Sequence, residues 1–321
     1  MNVNSNLITK ILDGNRVAVA KGISLVENEH PEAMALLKSL FPRTGRAYRI
    51  GVTGPPVAGK STLSNKLAKY YRGLNFKVGI IAVDPTSPFT GGALLGDRVR
   101  MTDVELDPGV FIRSMASRGS LGGLSKKAKE AADVLDASGF DLILMETVGV
   151  GQSELDIARA ADTTIVVLVP ESGDSIQAMK AGLMEIADFY VINKADRAGA
   201  DQAVMSIKTA LSLKNPESGW TPDVIKTVAN NNTGISDVAA MIGTHRNHLE
   251  STGQMISRRR ERIAERVRDL ISERFRMQFW TDDREKFLSD SLNAVLNHHH
   301  TPYDVVDELT KGLPFKDIAI R

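Results

Sequence analysis

The chain has 321 residues, 42% of them hydrophobic and 25% charged, with a formal net charge of +1 and no cysteine. These values suit one large α/β domain with additions, or two domains, and they give no charge excess for nucleic acid or a membrane surface. Disulfides, thiolate metal sites and cysteine nucleophiles are excluded. No apolar run approaches the ~20 residues of a membrane span, and Met1 to Lys10 lacks the charged and apolar regions of a secretory signal, so a cytoplasmic protein is expected.

Leu7, Ile8, Ile11 and Leu12 recur at helical spacing until Gly14-Asn15 interrupts them. Val17 to Val26 and Pro31 to Leu40 predict two more helices, the second opened by Pro31 in its first turn. This helical segment, residues 1–45, carries no visible chemistry. A second region, 46–250, opens with Ile50 and Val52 in a buried strand and continues with Leu63, Leu67 and Tyr70 or Tyr71 on a helical stripe. Between strand and helix stands Gly54-Pro55-Pro56-Val57-Ala58-Gly59-Lys60-Ser61-Thr62, which holds the pattern G-x-x-x-x-G-K-[ST]. Glycines there let backbone N–H groups converge on phosphate oxygens, with the helix N-terminus behind them. Lys60 is expected to reach the β- and γ-phosphates and Ser61 to complete a Mg²⁺ shell. A chance glycine turn would not need strand, loop and helix in register.

Lys77 to Val83 is a continuous apolar run, as in a strand covered on both faces, and it ends at Asp84-Pro85. That carboxylate falls at the strand edge where open α/β sheets bind ligands. In the following loop Asp97 is either a Mg²⁺-site acid or the N-cap of a helix at Arg98 to Met101. Val110 to Arg113 predicts a short strand, and Ser125 a cap for the next helix. Phe140 to Met145 predicts a buried strand running into Glu146-Thr-Val-Gly149. An acid after a buried strand, with glycine three residues on, has the layout of a Walker B carboxylate and a γ-phosphate sensor: Glu146 for Mg²⁺, the Gly149 N–H for phosphate.

Thr164 to Val169 predicts another strand, and Pro170 to Lys180 a turn into a helix. Phe189 to Ile192 then delivers Asn193-Lys194-Ala195-Asp196. Asp196 can accept both donors on the guanine edge, the Asn193 amide can brace the base, and the Lys194 stem can cover its ring. Adenine presents the opposite pattern, so the tetrapeptide selects GTP. Val224 to Asn230 is the last expected strand, with the Val228-Ala229-Asn230 backbone near the guanine oxygen, and Ile235 to Met241 begins a helix. Strands alternating with helices imply a mostly parallel sheet with helices on both faces. From 251 to 321 the chain reads as helical: Ser257 to Arg276 carries Ile256, Ile263, Val267, Leu270 and Ile271 as a packing stripe between interleaved charges, and Pro302 to Leu309 a final helix. His298-His299-His300 lacks a shared helical face and a cysteine partner, so it is not read as a metal site.

Taken together, Gly54 to Thr62, Val83-Asp-Pro-Thr-Ser87, Thr90-Gly-Gly92, Leu95-Gly-Asp97, Arg118-Gly-Ser-Leu-Gly-Gly123, Glu146 to Glu154 and Asn193 to Asp196 resemble, in order, the MeaB/ArgK GTPases, chaperones of methylmalonyl-CoA mutase. The resemblance implies a P-loop GTPase using GTP/GDP and Mg²⁺ that gates adenosylcobalamin loading of a cobalamin-dependent acyl-CoA mutase. It implies a switch from Asp84 to Arg100 carrying the metal-site acids Asp84 and Asp97. It also implies a second switch from Pro170 to Lys180 that answers the mutase, with Lys180 as a catalytic contact, and a homodimer formed through the C-terminal helical arm. Val150 stands where Ras-type enzymes carry a water-orienting glutamine, with Gln152 two residues on, so hydrolysis is expected to be slow without a partner. Two alternatives remain: a nickel-inserting metallochaperone GTPase, disfavoured because no cysteine and no histidine lies between His30 and His245, and a P-loop kinase.

Overall fold

The computed structural model describes residues 5–85, 104, 106–117, 123–147, 153–170, 182–212 and 219–313. The chain forms two compact units, Met1–Arg260 and Glu261–Arg321.

In the first unit the apolar runs become strands β1 (Tyr48–Thr53), β2 (Val78–Pro85), β3 (Val110–Ser117), β4 (Leu142–Thr147), β5 (Thr163–Leu168), β6 (Phe189–Ile192) and β7 (Val224–Lys226). They form one seven-stranded sheet in the order β3-β2-β4-β1-β5-β6-β7, and every neighbouring pair is parallel. Every residue of β1, β4, β5 and β6 is buried, because helices cover both faces. The two-residue period of a strand sorts the apolar side chains between those faces. Leu142, Leu144, Ile165 and Val167 pack with α4 (Lys60–Gly73) and α9 (Ile235–Ser251). Ile143 and Met145 face the layer made by α1 (Ser5–Leu12), α2 (Arg16–Glu27), α3 (Ala33–Leu40), α5 (Gly123–Ala137) and α6 (Ser153–Ala160). Val166, Leu168, Tyr190 and Ile192 pack with α7 (Leu183–Ile186) and α8 (Ala200–Ser212).

Aspartates order the edge of the sheet where the strands begin. Asp141 accepts from Lys77 N at 2.7 Å, Asp162 from Arg49 N at 3.0 Å, Asp188 from Thr164 N at 2.7 Å and Asp223 from Val224 N at 2.7 Å. Asp136 takes the N–H groups of Gly45, Arg46 and Ala47 at 2.7, 3.1 and 3.0 Å, which fixes the entry into β1. At the start of α10 (Gln254–Phe279), Arg258 grips Asp188 at 2.9 Å and Arg259 grips Asp162 at 3.0 Å. His245, fully buried, holds its Nε2 3.2 Å from Asp188 and its Nδ1 2.7 Å from the Thr163 hydroxyl. Burial alone would raise the pKa of Asp188, but the hydrogen bonds and charges of His245 and Arg258 outweigh it and hold the carboxyl below its ordinary value.

Several boundaries differ from expectation. α3 starts at Ala33, with Pro31 and Glu32 in the preceding turn, so Pro31 does not open the helix. α5 starts at Gly123, which puts Ser125 inside it rather than at its cap. β3 runs on to Ser117 because it pairs with β2 along its whole length. β7 stops at Lys226, and Ala229–Asn231 is a 3₁₀ turn instead of strand.

The second unit contains the rest of α10, then α11 (Asp282–Leu296) and α12 (Pro302–Thr310). α12 opens on a capping box made by Thr301 and Asp304. Among the described residues of this unit, Val305 is the one buried hydrophobic side chain. The stripe expected to pack on α10 is open: Ile263, Val267 and Ile271 are 52%, 49% and 49% exposed.

Candidate functional site: a nucleotide pocket at the strand ends

The phosphate loop rises from the centre of the sheet, because β1 lies between β4 and β5. Its shape depends on two glycines. Gly54 has φ +135°, and a Cβ there would lie 2.1 Å from the carbonyl oxygen of Val167 on β5. Gly59 has φ +91°, and its Cβ would lie 2.3 Å from Nδ2 of Asn193. Neither position can carry a side chain without displacing the neighbouring strand or the base segment. Val57 takes φ +64°, an uncommon conformation for a β-branched residue, at the exposed crest of the loop. Such strain costs on the order of 1–3 kcal/mol and persists where the surroundings enforce it. Lys60 is buried, and its ammonium donates to the carbonyls of Gly54 and Pro55, each at 2.8 Å.

Ser61 and Thr62 lie half-buried in the first turn of α4. One turn on, the buried Ser64 donates from Oγ to Glu146 Oε2 at 2.7 Å. Glu146 is 1% exposed, so the carboxylate at the end of β4 meets α4 inside the protein. Next to it the hydroxyls of Thr53 and Thr147 lie 3.2 Å apart and join the ends of β1 and β4.

The base segment is joined to the phosphate loop through Asn193. Its Nδ2 donates to Ala58 O at 2.9 Å, and its Oδ1 accepts from the Thr227 hydroxyl at 3.0 Å and from Ala229 N at 3.1 Å. The bond to Ala58 uses one of the two Nδ2 hydrogens, so the amide expected to brace the base is also tied to the phosphate loop. Both ends of the amide bond to protein, which fastens three segments of the pocket to one another. The Ala229 N–H expected near the guanine oxygen is likewise taken by Asn193, and the Val228 N–H donates to Thr233 O at 3.1 Å. Lys194, at φ +57°, donates from Nζ to Val57 O at 2.8 Å, so its stem crosses from the base segment to the phosphate loop. Asp196 is exposed in the turn that follows.

Gly54 to Thr62, Glu146, Asn193, Lys194, Asp196, Val228, Ala229 and Asn230 therefore all stand at or just beyond the C-terminal ends of β1, β4, β6 and β7, on one edge of the sheet. Asp97, Gly149, Val150, Gln152 and Lys180 lie outside the described residues, as does the side chain of Asp84, whose backbone belongs to β2. His298 to His300 sit in the turn after α11, and no group of His, Cys, Asp or Glu suited to a metal ion occurs among the described residues. Ser64 and Thr227 were not singled out from the sequence. Ser64 carried a usable signal, since it follows Ser61 by three residues and shares its helix face.

A family model described as "Methylmalonyl Co-A mutase-associated GTPase MeaB" matches residues 19–284. The chain belongs to the MeaB family. A Pyrococcus abyssi relative named as a GTPase is 48% identical over 310 residues, covering 96% of each chain. GTPase ArgK of Escherichia coli is 35% identical over 313 residues, covering 95% of each. The mouse protein "Methylmalonic aciduria type A homolog, mitochondrial" is 32% identical over 293 residues, which are 86% of this chain and 71% of the mouse protein. Among solved structures, a LAO/AO transport system kinase superposes with a TM-score of 0.73 at 29% identity, covering 97% of this chain and 98% of its own. The MeaB-family chain is thus a P-loop GTPase that binds guanine nucleotide. No helix among its described residues is long and apolar enough to cross a membrane.

Proposed function

We propose that this MeaB-family GTPase is a chaperone of a cobalamin-dependent acyl-CoA mutase such as methylmalonyl-CoA mutase, and that it uses GTP and Mg²⁺ to gate the loading of adenosylcobalamin. The observation that carries this reading is the match to a mutase-associated GTPase family over residues 19–284, with the mouse methylmalonic aciduria homolog in support.

The residues present fit GTP and Mg²⁺. Two glycines keep the phosphate loop open to backbone approach, and Ser61 with Glu146 offers the oxygen donors that a small hard cation takes. Bound there, Mg²⁺ would neutralise charge across the β- and γ-phosphates. Lys60 would exchange its hold on the Gly54 and Pro55 carbonyls for phosphate oxygens. Asp84 and Asp97 belong to the same proposed metal shell, and the Gly149 N–H to the γ-phosphate. Asp196 reads the guanine edge, the Lys194 stem covers the ring, and Asn230 takes the donor role that Val228 and Ala229 give up to protein acceptors. With Val150 unable to hold a water, Lys180 is assigned to arrive with the mutase and stabilise developing phosphate charge. The exposed stripe on α10 supports a homodimer through the C-terminal helices.

The test is nucleotide-dependent association. Purified protein is loaded with GDP or a non-hydrolysable GTP analogue and run with methylmalonyl-CoA mutase on a sizing column. Co-elution that depends on the nucleotide supports the reading; no complex in either state with this or other acyl-CoA mutases would overturn it.

A further inference from the structure

Ser64 lies one turn into α4, at the position i+3 from Ser61, so the two hydroxyls share one face of the helix. That face meets the end of β4. Glu146 stands there between β1 and β2, in register with Val52 on one side and Ala82 on the other, so its backbone is fixed from both directions. The glutamate side chain is less constrained, since its terminal torsion has broad wells. Ser64 supplies what the backbone does not: a fully buried hydroxyl donating to Oε2 at 2.7 Å, a charge-assisted bond to a carboxylate that is itself 1% exposed.

We infer that Ser64 is a positioning residue for the metal site, orienting the Glu146 carboxylate towards Ser61 and thereby setting how tightly the nucleotide pocket holds Mg²⁺. This rests on the reading that Glu146 serves the Mg²⁺. Partners that orient a metal's ligands commonly change affinity by about 10–100-fold when removed. Ser64 lies beyond the phosphate-loop motif and donates to Glu146, so its effect should be confined to the metal. A hydroxyl that merely satisfied a buried carboxylate would weaken the fold and nucleotide binding without regard to Mg²⁺.

The experiment measures release of a fluorescent GDP analogue across a Mg²⁺ titration and in EDTA, for wild type, Ser64→Ala, Ser64→Thr, Ser64→Cys and Glu146→Gln. In EDTA all five proteins should release the nucleotide at similar rates. In the titration, Ser64→Ala and Ser64→Cys should raise the Mg²⁺ midpoint by about 10–100-fold, while Ser64→Thr, which keeps the hydroxyl, stays near wild type. An unchanged midpoint in Ser64→Ala beside a raised one in Glu146→Gln overturns the positioning role and leaves the metal reading intact. An unchanged midpoint in Glu146→Gln removes the metal reading, and this inference with it. Faster release by the alanine and cysteine variants in EDTA as well as in Mg²⁺ assigns Ser64 to the fold alone.

Discussion

Replacing Asn193 by alanine probes the joint between base segment and phosphate loop. The substitution strands the Ala58 carbonyl and the Ala229 N–H, both inside the protein, and releases the Thr227 hydroxyl. A buried polar group left without its partner costs about 1–3 kcal/mol. The hydroxyl can turn to another acceptor, and water entering the void relieves part of the rest. A net loss of about 2–3 kcal/mol follows for the assembled pocket. If nucleotide binds only that assembly, affinity for GTP and GDP should fall together by about 30–150-fold. Unfolding should come about 4–12 °C earlier, at about 2–4 °C for each kcal/mol in a domain of this size. Calorimetric titration and thermal melts on the same sample give both numbers. Wild-type affinity in an Asn193→Ala protein of lowered melting temperature would show that the three bonds serve the fold and not the pocket.

The exposed Asp196 should behave in the opposite way. Asp196→Asn should leave the melting temperature unchanged, weaken GTP and favour xanthosine triphosphate, read by calorimetry with both nucleotides. Ser61→Ala and Glu146→Ala should each lower GTP turnover far more than GDP affinity, and near-normal turnover in both at saturating Mg²⁺ would remove them from the metal site. Because the Asp188 pKa is held below its unfolded value, the stability it contributes is whole above about pH 4 and lost as pH falls through the depressed folded value. Arg258→Ala removes part of that depression, so acid unfolding should move to higher pH. It should also cost about 2–3 kcal/mol at neutral pH, less than the roughly 3–5 kcal/mol of a fully buried pair, since Arg258 is 33% exposed. An unmoved acid midpoint would mean that His245 and Thr164 hold Asp188 without the arginine.

How much of this was legible in the sequence depended on whether the signal was local. The phosphate loop declared itself because strand, glycines, lysine and helix follow one another within a few residues. The buried strands declared themselves as apolar runs covered on both faces. Asn193 was legible as a base-segment residue, but its structural bonds were not: a tetrapeptide cannot show that its amide is bonded to Ala58, Thr227 and Ala229, residues remote from it in the chain. The same holds for the grip of Arg258 and Arg259 on Asp188 and Asp162, which looked like part of a solvated charge pattern. α11 falls in the region read as helical but was not separated as a helix of its own, although its start was written plainly, with Thr281 capping Arg284 N ahead of Asp282 and Asp283. Its apolar positions Phe287, Leu292 and Leu296 are 42%, 50% and 74% exposed, so no buried stripe accompanied the cap.

Action of this GTPase on a cobalamin-dependent mutase is read from the rate of GTP hydrolysis with and without that enzyme, for wild type and Lys180→Ala. Turnover by the isolated protein should be slow, adding the mutase should accelerate it markedly, and Lys180→Ala should lose most of that acceleration with the basal rate hardly changed. One such contact to developing charge is commonly worth about 2.7–4 kcal/mol, or about a hundredfold or more in rate. Fast hydrolysis by the isolated protein, or a rate that no acyl-CoA mutase alters, would contradict action on a mutase.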